Sequence, residues 1–223
     1  HAHMVGVTHG SLAAGLAASP SRIAQIAMVL RCYLRPDSVL AVRSATGTHL
    51  TVRCAPWCRW YDTSGVILPG TKANLPAGEL VTSPGAVDGV YVADGWVGDA
   101  KDQMSEALSA EPLVLRIDAG RVTGVEGGRL GLAARAVSAM RAAANLDRVG
   151  LVSVGTNIGM TTLAADVFTN QKLPSFHLSL GLTFPERTGA TWSSSSWIAF
   201  TSVGADVWID GTKVMGGGQF LVP

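Results

Sequence analysis

The chain has 223 residues, 48% of them hydrophobic and 15% charged, with a formal net charge of +1 and a mean hydropathy of +0.30. The length can bury a sizeable core, and the near-neutral charge gives no electrostatic basis for binding nucleic acid or an anionic membrane surface. No apolar run reaches the roughly 18 to 20 residues that span a bilayer, and low charge with high apolar content points to a buried subunit or ligand surface, the subunit being a second copy (homodimer) or a related protein (heterodimer).

His1-Ala-His-Met4 reads as a cloning remnant and is set apart from the fold. Residues 5–36 read as an N-terminal tail and helix: the Ala/Gly/Ser-rich stretch 5–20 lacks the basic start and apolar block of a secretion signal, and 20–34 carries one apolar face behind Ser19 or Ser21 as cap. Residues 37–223 read as one domain, with strands predicted at 38–43 and 49–54 as a hairpin, then a short extended piece at 66–70 and further strands at 90–93, 113–117 and 122–125. Asp118-Ala-Gly-Arg121 is the turn between the last two. A helix follows at 130–146, then strands at 148–154, 176–180, 198–202 and 207–209, with Gly216-Gly-Gly218 turning into a last strand. The fold class is α+β (mixed α/β), a large mixed β-sheet with flanking helices. The cysteines, Cys32, Cys54 and Cys58, fit no metal-finger spacing. They are expected to be reduced thiols of a cytoplasmic protein, with a Cys54–Cys58 disulfide as the alternative.

Several motifs occur in a fixed order: Gly47-Thr-His-Leu50, Asn74-Leu-Pro-Ala-Gly-Glu79-Leu-Val-Thr-Ser-Pro84, Asp88-Gly-Val-Tyr-Val-Ala-Asp-Gly95, Gly155-Thr-Asn157, Pro174-Ser-Phe-His177-Leu-Ser-Leu-Gly181 and Asp210-Gly211. Together, from about residue 37 onward, they resemble the catalytic domain of the thermophilic-type metallo-aminopeptidases, the aminopeptidase T and leucyl-aminopeptidase-like family. That family is longer, and the resemblance implies a truncated member. Its first metal-binding glutamate falls on Glu79 and its first histidine on His177. Its second glutamate falls on Leu151, its tyrosine on Phe184, its His-x-Asp pair on Trp197 and Ala199, and the charged residue ahead of the histidine strand on Asn170. A two-metal hydrolase needs several carboxylates and imidazoles around its ions, so the resemblance implies a vestigial site at Glu79 and His177 with no metal and no other cofactor.

Apart from the resemblance, His177 is a core histidine on an apolar strand and Glu79 a cap or ion-pair partner, the two able to bond each other. Trp192 and Trp197 flank the serine run 193–196, where loop aromatics make a recognition surface or simply pack. Loss of the ligands leaves a peptidase's hold on a peptide, and Leu151, His177, Phe184, Trp192 and Trp197 are the expected contacts. Truncated, ligand-poor relatives resemble the peptide-binding proteins of crocagin biosynthesis, a ribosomal-peptide natural-product pathway. The resemblance therefore implies a non-catalytic protein that holds a precursor peptide for other biosynthetic enzymes. Two alternatives stand beside it. One is a metal-independent enzyme using Glu79 and His177 as acid and base, for example in cyclisation. The other is a metallo-aminopeptidase completed by a second chain or by Asp94, Asp118 or Glu186.

Overall fold

The computed structural model describes residues 1–4, 9–70, 72–101 and 103–222; residues 5–8 of the expected tail lie outside that set. Two antiparallel sheets form the body. The first has eight strands in the spatial order Arg121–Gly127, Leu113–Asp118, Ala86–Ala93, His49–Arg53, Val39–Arg43, Asp206–Ile209, Thr212–Gly216 and Gln219–Phe220. The second has seven, in the order Tyr61–Asp62, Glu79–Thr82, Val149–Gly155, Phe176–Gly181, Trp197–Phe200, Trp96–Asp99 and Ser105–Ala107. The expected single mixed sheet is thus two antiparallel ones, and the protein is α+β but mostly β. No helix among the described residues is long and apolar enough to cross a membrane, and Cys32, Cys54 and Cys58 are all free.

Alternation along the strands explains the layering. Leu40, Val42, Leu50, Val52, Val87, Tyr91, Leu113 and Leu115 point inward from the first sheet and meet Leu80, Val152, Val154, Phe176, Leu178, Leu180, Ile198 and Phe200 of the second in one core. Ile26 and Leu30 of the helix Pro20–Tyr33 join it, with Ser19 capping that helix. The hairpin at 39–53 pairs Val39 with Arg53. In the turn after Asp118, Ala119 (φ 46) and Gly120 (φ 77) both take the left-handed backbone that a two-residue turn between twisted strands requires.

Differences from expectation have local causes. The helix expected at 130–146 runs only over Leu132–Met140, since Gly131 (φ 81) and Asn145 (φ 60) leave the right-handed helical region on either side. The short piece at 66–70 joins no sheet and ends in a turn at 69–70. Glu79–Thr82 and Trp96–Asp99 were missed because they are covered on both faces and show no period-two alternation. Within the stretch read as a cloning remnant, Ala2–His3 pairs in parallel with Ala73–Asn74.

One polar tie crosses the core. The wholly buried Tyr91 hydroxyl lies within hydrogen-bond distance of the Phe176 carbonyl at 3.1 Å and the Phe200 carbonyl at 3.2 Å, joining the first sheet to two strands of the second. Tyr91→Phe removes that donor without changing the ring, so it should lower unfolding free energy by about 1 kcal/mol, read from the midpoint of a denaturant melt with an unchanged slope.

Candidate functional site

Strand register places the positions marked by the resemblance on one face. Gly155 lies opposite Glu79, Ser153 opposite Val81 and His177, Leu151 opposite Ser179, Ser179 opposite Ala199, and Gly181 opposite Trp197. Because side chains alternate, Glu79, Leu151, His177, Trp197 and Ala199 all project from the outer face of the seven-stranded sheet, away from the core.

Residues 166–173 lie across that face. Asp166 caps the short helix Val167–Asn170, accepting from the Thr169 N–H at 2.7 Å. Two glycines let the segment descend onto the sheet: a Cβ on Gly98 would collide with Val167, and one on Gly155 with the Leu173 carbonyl. The Asn157 N–H donates to the Lys172 carbonyl at 3.0 Å, and the Gly155 N–H to the Ser175 carbonyl at 3.1 Å. Across the face, Gln171 donates to the Ser179 hydroxyl at 3.2 Å and Phe168 packs edge-on against Trp197 at 5.1 Å.

This segment supplies separate partners to the two surviving positions. The Lys172 ammonium bonds the Glu79 carboxylate, with the residues 7% and 8% exposed. His177 has no exposed surface; its Nε2–H donates to the Leu173 carbonyl at 2.9 Å, and its Nδ1 accepts the Ser202 N–H at 3.4 Å. Burial lowers the His177 pKa to about 4 despite the Leu173 carbonyl, so the ring is neutral at physiological pH. Glu79 and His177, which could have bonded each other, are each paired with residues 172–173: the glutamate as an ion-pair partner and the histidine as a core side chain bonded to backbone. Sequence reasoning missed Lys172, although it is the one Asp, Glu, Lys or Arg between Asp166 and Glu186 and stands five positions ahead of His177.

The shared motifs serve the backbone. Gly78 (φ 121) leaves room for Asn157, whose amide donates at 2.8 Å to both the Gly15 and Ala77 carbonyls. Asp210 accepts from the Val39 N–H and the Ser38 hydroxyl, each at 2.8 Å, and Asp88 from the Ala119 N–H at 2.8 Å. Asp94, a candidate extra ligand, accepts from the Val203 N–H at 2.8 Å and the Thr46 hydroxyl at 2.9 Å; Asp118 and Glu186 are exposed. Asn170 closes its own loop on Ala164 through both amide atoms.

The expected peptide contacts sit on several elements. Leu151 and Trp197 share the outer face with the enclosed His177. Phe184 starts the short helix Pro185–Thr188 with a left-handed backbone (φ 50). Trp192 lies under the Arg148 guanidinium, 4.1 Å from its ring centre, next to the end of the strand Val149–Gly155 remote from Glu79. Near Glu79, a polar cavity of about 450 Å³ is lined by Asp62, Lys72, Asn74, Lys172 and Arg187 among others. Asp62 lies 3.5 Å from Arg31, and Arg187 stacks on Tyr61, whose phenol is pushed up to about 12 chiefly by burial. Beyond Asn74 and Lys172, a second cavity of about 290 Å³ is lined by His3, Leu75, Pro76, Phe168 and Thr169.

No protein-family model matches the chain, and no curated protein matches it. Among solved structures, 2,5-dihydroxypyridine dioxygenase from Pseudomonas putida KT2440 is similar with a TM-score of 0.72 at 18% identity, over 100% of this chain and 65% of that one. Wild-type AmpT from Thermus thermophilus is similar with a TM-score of 0.64 at 19% identity, over 94% of this chain and 57% of that one. The chain therefore has a fold distantly like that of a metallo-aminopeptidase and spans less than two thirds of either structure's length. The metal centre implied by that family does not fit the residues present: among the described residues no group of three or more His, Cys, Asp or Glu could hold an ion, and both surviving ligand positions are already bonded.

Two measurements test this geometry. Lys172→Met leaves a buried, unpaired carboxylate and should cost about 3 to 5 kcal/mol of stability, most of it recovered in Lys172→Met/Glu79→Gln; equal losses in the single and double variants in denaturant melts would sink the pairing. His177 has a folded pKa near 4 against 6.5 unfolded, so the unfolded chain binds the extra proton between those values. Acid then favours unfolding, and stability should drop by about 3 kcal/mol from pH 7 to pH 4 on this account. The difference between wild type and His177→Gln across that window isolates the contribution.

Proposed function

We propose that the protein is a non-catalytic peptide-binding protein on a metallo-aminopeptidase-like fold. It would hold a precursor peptide for modification by partner enzymes in ribosomal-peptide biosynthesis of the crocagin kind. One observation carries the loss of chemistry: residues 172–173 occupy the outer face, with the Lys172 ammonium on Glu79 and the Leu173 carbonyl on His177. A lysine there compensates the carboxylate charge in a site that lacks the donors to hold an ion.

The same contacts argue against acid–base catalysis by Glu79 and His177. A base must reach the proton it takes, within hydrogen-bond distance or through one water. His177 is enclosed, holds backbone groups on both ring nitrogens and has a pKa near 4. The binding half draws support from two adjoining cavities, polar beside Glu79 and largely apolar beside Phe168, separated by Asn74 and Lys172. Peptide sites commonly combine an extended backbone track with side-chain pockets.

The test is selection of a displayed library of random twelve-residue peptides on the immobilised full chain. A related set of sequences should be enriched and recovered intact after incubation with Zn²⁺, Mn²⁺ or Co²⁺. Metal-dependent cleavage of the enriched peptides, or no enrichment at all, would overturn the proposal.

A further inference from the structure

The only parallel strand pair among the described residues joins Ala2–His3 to Ala73–Asn74. Its hydrogen bonds are those of strand addition: the Ala73 N–H donates to the His1 carbonyl at 3.1 Å and the Leu75 N–H to the His3 carbonyl at 2.9 Å. Ala73–Asn74 belongs to neither large sheet and has no strand partner other than Ala2–His3 among the described residues. This track runs directly into the Asn74-Leu-Pro-Ala-Gly-Glu79 segment and so to the face that carries Glu79.

The side chains follow the same logic. In an extended chain alternate side chains share a side; the rings of His1 and His3 lie 6.4 Å apart, and His3 lines the cavity of about 290 Å³ formed with Leu75, Pro76, Phe168, Thr169 and Lys172. Apolar groups from Leu75, Pro76 and Phe168 suit a flat ring, while Thr169, Asn74 and Lys172 place polar groups at its border.

We infer that Ala73–Leu75 is the docking track of the peptide-binding site. It takes an extended peptide in parallel register, with a histidine or aromatic side chain bordering the pocket beside Phe168 as His3 now does, and residues 1–3, a cloning remnant by their sequence, sit in that track as a stand-in for the ligand. The inference rests on the peptide-binding function proposed above and adds its location, the strand direction and the side chain that is read. It moves recognition away from Leu151, Phe184 and Trp192 to the segment preceding Glu79.

The test uses the full chain and the peptides enriched from the random library. These should share a histidine or aromatic position, and N-methylation of single peptide amides should weaken binding with a period of two residues. Ala73→Pro removes the N–H that now meets the His1 carbonyl and should weaken binding about tenfold or more, with the melting temperature checked in parallel. Peptide binding should also speed amide exchange in residues 1–4, measured by mass spectrometry, because the ligand displaces them. Peptides that bind wild type and Ala73→Pro equally, show no periodicity to N-methylation and leave exchange of residues 1–4 unchanged would overturn the location while leaving peptide binding intact. If Ala73→Pro fails to fold, the N-methyl series and the exchange measurement decide alone. Failure of any peptide to bind the wild type would overturn the underlying function as well.

Discussion

The buried ion pair of Glu79 and Lys172 is the constraint around which the outer face is organised. A carboxylate that is 8% exposed must be compensated, and the ammonium that does so comes from a segment with no strand of its own. That segment can reach Glu79 only because Gly155 and Gly98 lack side chains and because Asn157 holds the Lys172 carbonyl. Once it lies there, the Leu173 carbonyl meets His177, Phe168 meets Trp197 and Gln171 meets Ser179. One electrostatic requirement thus settles the partners of most polar groups on this face, and fixes the ring nitrogens of His177 in one tautomer.

Much of the fold was legible in the sequence, because most of its strands are half-covered and alternate. Val39–Arg43 and His49–Arg53 bury Leu40, Val42, Leu50 and Val52 between exposed or half-exposed neighbours, and the turn at Ala119-Gly120 carries a glycine at one of its two left-handed positions. Glu79–Thr82 was illegible as a strand because every one of its side chains is buried. The sheet count was equally hidden, since it depends on pairings such as Val207 with Val42 that join distant parts of the chain. At the site, Glu79 and His177 were found on the same face as expected, but their partners were not, because nothing local connects Glu79 with a lysine 93 positions later. The motifs that signalled the resemblance turned out to speak mainly for backbone geometry: Gly78 against Asn157, Asp88 at a turn, Asp210 on the first strand of the hairpin.

The likeness to both a dioxygenase and AmpT illustrates how little a fold alone says about chemistry. The sheet provides a rigid outer face with side chains at fixed spacing, and the residues on that face decide what it does. Here the face carries Leu151, Ala199 and Trp197 beside a neutral imidazole and a compensated carboxylate, so it presents neither a free base nor a ligand set. Charged side chains do line the cavity next to Ala73–Asn74, among them Lys72, Arg187 and Asp62.

On the proposed location, residues 1–3, a cloning remnant by their sequence, compete with any ligand for Ala73–Asn74. The apparent dissociation constant of such a ligand is then the intrinsic one divided by the fraction of time the remnant is away. Every 1.4 kcal/mol or so that seats the remnant raises that constant tenfold, so a chain without those residues should bind the same peptide more tightly.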